Sequence, residues 1–247
     1  MLGLDIRNGR LRWPVAADLS ARVAGIAVDR VRRRGKYLLL DTREGSLIIH
    51  LGMSGSLRLV GNDDLPGPLD HVDILFEHGV RLRLRDPRRF GCILWSLEPD
   101  AHALLCHMGP EPLEQEPGPH LYRQSRGRRR AVRDFLLDGR VLAGIGNIYA
   151  NEALFRAGID PRRAAGRIGM ARYQRLGQAL QQTLEAAITA GGTTLRDFVG
   201  GEGRPGYFQQ ALRVYGRTGE ACPQCGGQIR GQIHGQRSLY YCPHCQS

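Results

Sequence analysis

The sequence predicts an α+β multidomain chain, with a β-rich first half, a helical second half and a metal-bound β-hairpin at the C-terminus. Three observations carry this. Short apolar runs separated by polar turns recur between Tyr37 and Trp95. An apolar repeat at three and four residues runs from Met170 to Ile188. Two CxxC pairs, Cys222/Cys225 and Cys242/Cys245, lie near the end of the chain.

In the first half, Tyr37 to Leu40 and Leu47 to Leu51 read as strands joined by the polar turn Asp41 to Ser46. Val72 to Phe76 and Val80 to Leu84 flank the turn Glu77-His78-Gly79. In the second of these, Val80, Leu82 and Leu84 alternate with Arg81, Arg83 and Arg85, a period of two that predicts one buried face and one basic face. Cys92 to Trp95 reads as a further strand. Strands and turns of this kind build a sandwich or a barrel. The Pro- and Glu-rich stretch from Gly109 to Pro119 reads as an interdomain linker.

Helices follow over Ala131 to Leu137, Tyr149 to Ala157 and the 170–188 repeat. Gly158 with Pro161 stops the second, and Gly191-Gly192 closes the third. A polar glycine-rich loop, Gly200 to Gly206, precedes the C-terminal hairpin.

Bulk properties fit a polyanion-binding protein. The chain has 247 residues, 42% of them hydrophobic, enough for more than one core. Lys and Arg outnumber Asp and Glu by 35 to 24, a net charge of +11, which points to nucleic acid. No apolar run reaches the roughly 18 residues that a membrane span needs, and Met1 to Pro14 lacks the apolar core of a secretory signal. The expectation is a soluble intracellular protein.

Sixteen residues separate the two CxxC pairs. This is the spacing of a structural Zn2+ site with four thiolates, each pair forming a tight knuckle. Gln228 to Ile233 and Ser238 to Tyr241 read as its strands, with His234 to Arg237 as the turn. Four cysteines close the coordination shell, so the metal is structural. The remaining Cys92 and Cys106 read as buried small apolar residues.

Three further motifs are suited to chemistry or binding. Arg30 to Lys36 clusters cations beside a strand, and Lys36 is the only lysine of the chain. A lysine can lose its proton and act as acid, base or nucleophile, which an arginine cannot. Asp86-Pro87-Arg88-Arg89-Phe90-Gly91 combines cations with an aromatic that could wedge between bases. Gly144-Ile145-Gly146-Asn147 opens a helix, where free amides bind anions such as phosphate.

These stretches, with RLRWPV (Arg10 to Val15), IIHLGMSGSLR (Ile48 to Arg58), DHVD (Asp70 to Asp73), GIGNIYANEALF (Gly144 to Phe155), GGTTLRDF (Gly191 to Phe198), GYFQQALRVYGR (Gly206 to Arg217) and HGQR (His234 to Arg237), occur in the order found in bacterial formamidopyrimidine-DNA glycosylases. The chain closely resembles that family over nearly its whole length. The resemblance implies a β-sandwich over 1–113, a helix–two-turn–helix domain over 120–212 and a zinc finger over 213–247. It implies a monomer that binds double-stranded DNA in a basic cleft between domains, in the bacterial cytoplasm at the nucleoid. The activity implied is release of 8-oxoguanine and formamidopyrimidine from a flipped-out nucleotide, then strand cleavage by β- and δ-elimination. Carried over by motif, Lys36 assists catalysis and Met53, Arg88 and Phe90 fill the space of the displaced base. His71, Arg89 and Arg129 hold the DNA backbone, and Asn147 binds phosphate. Arg237 engages the phosphate at the lesion and assists δ-elimination. Gly200 to Tyr207 would be the loop over the flipped base.

Family members begin Pro-Glu-Leu-Pro-Glu, with the proline amine as nucleophile and the glutamate as acid. This chain begins Met1-Leu2-Gly3-Leu4-Asp5. The expectation is therefore that a first helix and most of a first strand lie upstream of an internally assigned start. The alternative is a truncated, catalytically impaired protein that binds damaged DNA, with an exposed sheet edge where the strand is missing.

Overall fold

The computed structural model describes residues 1–192 and 211–247. They form two compact units, one built on Met1–Cys106 and one on His107–Ala190 with the C-terminal segment ending at Ser247. The expected Gly200–Tyr207 loop lies outside the described residues. Among the described residues no helix is long and apolar enough to cross a membrane.

The first unit contains β1 (Gly3–Ile6), α1 (Leu19–Val23), β2 (Arg30–Arg34), β3 (Tyr37–Asp41), β4 (Ser46–His50), β5 (Ser56–Val60), β6 (Asp70–Leu75), β7 (Arg81–Arg85) and β8 (Cys92–Ser96). One antiparallel sheet runs β1-β6-β7-β5 and the other β2-β3-β4-β8. Leu40, Leu47, Ile49 and Ile93 from one sheet meet Leu4, Val72, Ile74 and Leu84 from the other. Burying each such side chain contributes about 1.5–3 kcal/mol before the entropy of ordering is subtracted. Two packed sheets make this a sandwich, not a barrel. β1 was not expected from the sequence. It pairs with β6 from Gly3↔Leu75 to Ile6↔Val72 and occupies that edge.

The basic face expected on β7 is different in kind. Arg83 is buried, and its guanidinium holds the buried Asp73 carboxylate through bonds of 2.9 and 2.8 Å. Arg7 adds a third bond to Asp73 at 2.6 Å. Burial alone would raise the Asp73 carboxyl, but the two guanidiniums hold it below the usual carboxylate range. Alternation placed these arginines on one face; the aspartates opposite them on β6 turn that face into an internal ion-pair network.

The second unit contains α2 (Pro117–Ser125), α3 (Val132–Leu136), α4 (Asn147–Arg156), α5 (Met170–Thr189), β9 (Arg230–His234) and β10 (Arg237–Tyr241). Its core joins Leu121, Val132, Phe135, Leu154, Ile159, Tyr173, Leu176 and Leu180. Met170 and Ile188, counted in the apolar repeat of α5, are exposed at its ends. The expected linker is instead part of this unit. Gly109 donates to Gly139 O at 2.8 Å, Pro110 O accepts from Ala143 at 3.0 Å, and α2 begins at Pro117. Proline suits a first helical turn, where its missing N–H would have no partner. Composition marked a break here, but the prolines open a helix.

Candidate nucleic-acid interface and metal centre

In the first unit, two turns carry most of the expected contacts. The Asp86–Gly91 turn is built on the fully buried Asp86. Its carboxylate accepts from the Gly91 amide at 2.7 Å and from Ser54 Oγ at 3.4 Å. The backbone turns sharply at Arg89, with φ 56°. A non-glycine residue holds that conformation only where its surroundings enforce it. The result is an exposed Phe90 with the Arg88 guanidinium 4.6 Å from its ring centre. Arg89 is exposed beside them.

The second turn, Leu51 to Gly55, lies directly against the first. Gly52 has φ 65°, and a Cβ there would sit 2.6 Å from the carbonyl carbon of Phe90. Only glycine permits both the angle and the approach. Met53, the next residue, is 72% exposed. Met53, Arg88 and Phe90, grouped by motif alone in the sequence, are thus brought together.

His71 is placed differently from a surface phosphate ligand. The register of β6 against β7 shifts between Asp70 and Val72, leaving His71 as the extra residue of a bulge. A bulge re-aims a side chain. Here the imidazole is buried, and its Nε2 lies 2.9 Å from Asp86 O. His71 therefore props the Asp86 turn from below.

Lys36 sits in a two-residue turn, Gly35-Lys36, closing the hairpin in which Arg34 pairs with Tyr37. Gly35 takes φ 57°, as the tight hairpin turns require. The Lys36 side chain is exposed.

In the second unit the four cysteine sulfurs lie within 4.8 Å of one another. Cys222 to Cys245 is 3.9 Å and Cys225 to Cys242 is 3.5 Å. Four sulfurs about 2.3 Å from one tetrahedral zinc would be roughly 3.8 Å apart, so the cluster fits Zn2+. His244 is not a member of the cluster. The knuckles are pinned by backbone: the Cys222 amide donates to Gly227 O at 2.7 Å, and Cys242 O accepts from Gln246 at 3.1 Å. Of the other two cysteines, Cys92 is buried, with its thiol pushed up to about 11 by burial, whereas Cys106 is exposed, contrary to expectation.

β9 and β10 form the expected hairpin, with His234 paired to Arg237 across Gly235-Gln236. Arg237 is exposed at its tip. The hairpin is held to the helices by polar side chains. Asn147 Nδ2 donates to Ser238 O at 2.8 Å, and Asn151 Oδ1 accepts from the Tyr240 amide at 2.8 Å. Arg133, 1% exposed, donates to His234 O at 3.0 Å, with the Asp134 carboxylate 3.2 Å from its Nε. Burial holds the Arg133 guanidinium below its ordinary range; Asp134 opposes that effect and Arg237 adds to it. Sequence reading missed Arg133, which lay inside an arginine run with nothing to mark it. It lines an open pocket of about 400 Å³ with Arg130, Asp138, Gln236 and Arg237.

α4 starts at Asn147 with Gly146 as its cap, and no side chain caps it. Its first turn is thus suited to an anion. Arg129 is exposed between α2 and α3, in a second open pocket lined also by Arg128 and Arg167.

Three family models match the chain. The formamidopyrimidine-DNA glycosylase N-terminal domain matches residues 2–93, the H2TH domain of the same glycosylase matches 108–199, and a zinc finger found in FPG and IleRS matches 219–247. The formamidopyrimidine-DNA glycosylase of Methylococcus capsulatus is 57% identical, over 100% of this chain and 92% of that protein. That of Stutzerimonas stutzeri is also 57% identical, over 98% of this chain and 90% of its own length. Among solved structures, a Lactococcus lactis Fpg variant bound to DNA containing Fapy-dG superposes with a TM-score of 0.89 at 28% identity, covering 99% of this chain and 91% of that one. A complex of the Lactococcus lactis protein with DNA containing an abasic site also gives 0.89, at 29% identity, with 99% and 91% coverage.

Proposed function

The chain belongs to the formamidopyrimidine-DNA glycosylase family, and on that premise we propose that it is a base-excision DNA glycosylase and abasic-site lyase acting on oxidised purines in duplex DNA. The observation that supports this best is the pair of interlocked turns presenting Met53 and Phe90. Chemistry at C1′ of a stacked nucleotide requires the base to leave the stack. Two rigid apolar tips, with Arg88 against one of them, can occupy the vacated space and compensate the lost stacking. Cations at Arg89, Arg129 and Arg237 neutralise phosphates, and Asn147 with the first turn of α4 holds another. His71 acts through the Asp86 turn. Zn2+ supplies no chemistry; it fixes the hairpin that carries Arg237. The site of action is bacterial DNA, in the cytoplasm and at the nucleoid.

Lys36 is the single side-chain amine of the chain. As a free base it can add to the C1′ aldehyde of an opened abasic sugar and lose water to form an imine, which borohydride reduces to a stable secondary amine. The direct test uses a duplex with 8-oxoguanine opposite cytosine. We expect base release and β,δ-elimination products. Cleavage confined to oxidised pyrimidines would overturn the purine assignment. Borohydride trapping on an abasic duplex then locates the amine: an adduct lost in Lys36→Ala places it on Lys36, and one that persists places it elsewhere.

A further inference from the structure

His50 is the last residue of β4. It pairs with Tyr37 of β3 on one side and Cys92 of β8 on the other, so three titratable side chains form one row across the sheet. The Tyr37 ring centre lies 4.6 Å from that of the imidazole, at 48°. Imidazole Nδ1 is 2.9 Å from the Gly52 amide nitrogen. That amide can only donate, so Nδ1 is the acceptor and carries no proton. The charged groups facing the ring are the cations of Lys36 and Arg12, opposed by Asp86. Burial first, and then the two cations, hold the imidazole below its ordinary titration range.

We propose that neutral His50 is a positioning residue for base displacement: by fixing the Gly52 amide it holds the Met53 and Phe90 tips in their interlocked arrangement. The proposal rests on the functional reading above and extends it to a residue outside the expected contacts. Gly52 is the point at which one turn touches the other, since its α-carbon leaves no room for a Cβ beside the Phe90 backbone. A shift of Gly52 therefore moves both tips. Protonation of Nδ1 sets an N–H against an N–H, and the anchor is lost. The sign follows: the arrangement is held while His50 is neutral and fails as the pH falls through its lowered pKa.

The test uses the full chain and a duplex with a non-cleavable tetrahydrofuran abasic analogue opposite 2-aminopurine, whose fluorescence reports insertion into the stack. Wild type should bind this duplex more tightly than an undamaged one and give an insertion signal that falls on the acid side. His50→Asn places an amide oxygen near the Nδ1 position and does not titrate. It should keep affinity within about threefold and lose the acid limb. His50→Leu should bind about tenfold more weakly than neutral-pH wild type, the worth of roughly one hydrogen bond, with no acid limb of its own, so that the two converge as the pH falls. An acid limb unchanged in His50→Asn would overturn the proposal, as would normal insertion by His50→Leu. If wild type itself shows no preference for the abasic duplex, the glycosylase reading fails before His50 is in question.

Discussion

The two candidate catalytic cations, Lys36 and Arg237, sit at the same kind of turn held in two different ways. Each belongs to a two-residue hairpin whose first loop residue is a glycine at positive φ, Gly35 at 57° and Gly235 at 62°. Around Lys36 the strands continue into a four-stranded sheet backed by an apolar core. Around Arg237 the sheet has two strands, and the β9 residues are all exposed. An isolated hairpin of that size is marginal in water. Zinc at its base, a small apolar cluster of Phe155, Val214 and Ile229 beside the knuckles, and Arg133, Asn147 and Asn151 along its side take the place of a larger core. One turn is therefore as robust as a sandwich, and the other as robust as a metal site, a small apolar cluster and a few hydrogen bonds.

Removing the metal should separate the two most sharply. Both tryptophans, Trp13 and Trp95, lie in the sandwich unit. Chelation of zinc, or Cys225→Ser, should leave tryptophan fluorescence and its urea transition unchanged. DNA affinity should fall by on the order of 100-fold or more, because a structural zinc contributes roughly 10–16 kcal/mol to folding its own finger. A tryptophan transition that shifts with zinc would show that the two supports are not independent.

The corresponding attack on the sandwich is Asp86→Asn. The fully buried carboxylate accepts from Gly91 and Ser54, and an amide can reproduce only one acceptor oxygen. We expect a loss of about 2–3 kcal/mol, read as a lower midpoint of the tryptophan transition in urea, with zinc content unaffected. An unchanged midpoint would mean that the turn does not depend on that carboxylate. Weaker again is Arg133→Met, which keeps the stem but removes the guanidinium donor to His234 O. Zinc should stay bound while affinity for abasic duplex drops about tenfold. Titrating both in parallel decides it, since loss of metal would make Arg133 part of the finger's folding and not of its placement.

What the sequence disclosed follows the same division. Knuckle spacing names a metal site by itself, because four sulfurs in that pattern have few other uses. On the far side of Lys36, β3 and β4 were legible because their apolar runs are local, whereas β2, mostly arginine, was read only as cations beside a strand. What escaped depends on partners distant in sequence. The arginines of β7 looked solvent-facing until Asp73 was placed opposite them. Motif alone assigned His71 to the DNA backbone, and only the bulge, set by pairing with β7, shows it turned under Asp86. Arg133 was indistinguishable from its neighbours Arg128 to Arg130, since only its contact with His234, 101 positions away, sets it apart. The prolines at 117 and 119 signal a break equally well as linker or helix start, and only the packing of α2 decides between them.

Arg129 offers the smallest effect and the cleanest contrast with Arg133. Arg129 is exposed, and the Arg128 and Arg167 side chains line the same open pocket. Its proposed contact is with a phosphate, whose binding energy comes from counterion release and depends on salt, not on sequence or lesion. Arg129→Ala should therefore weaken abasic and undamaged duplexes by similar factors, about threefold near physiological salt. The slope of log affinity against log salt should become shallower by roughly 1. Arg133→Met, acting through the placement of Arg237 and Asn147, should weaken the abasic duplex more than the undamaged one and change the slope little. Measuring both variants on both duplexes across a salt series gives four slopes. If Arg129→Ala left the slope untouched while lowering affinity for the lesion alone, Arg129 would have to be moved from backbone neutralisation to lesion recognition.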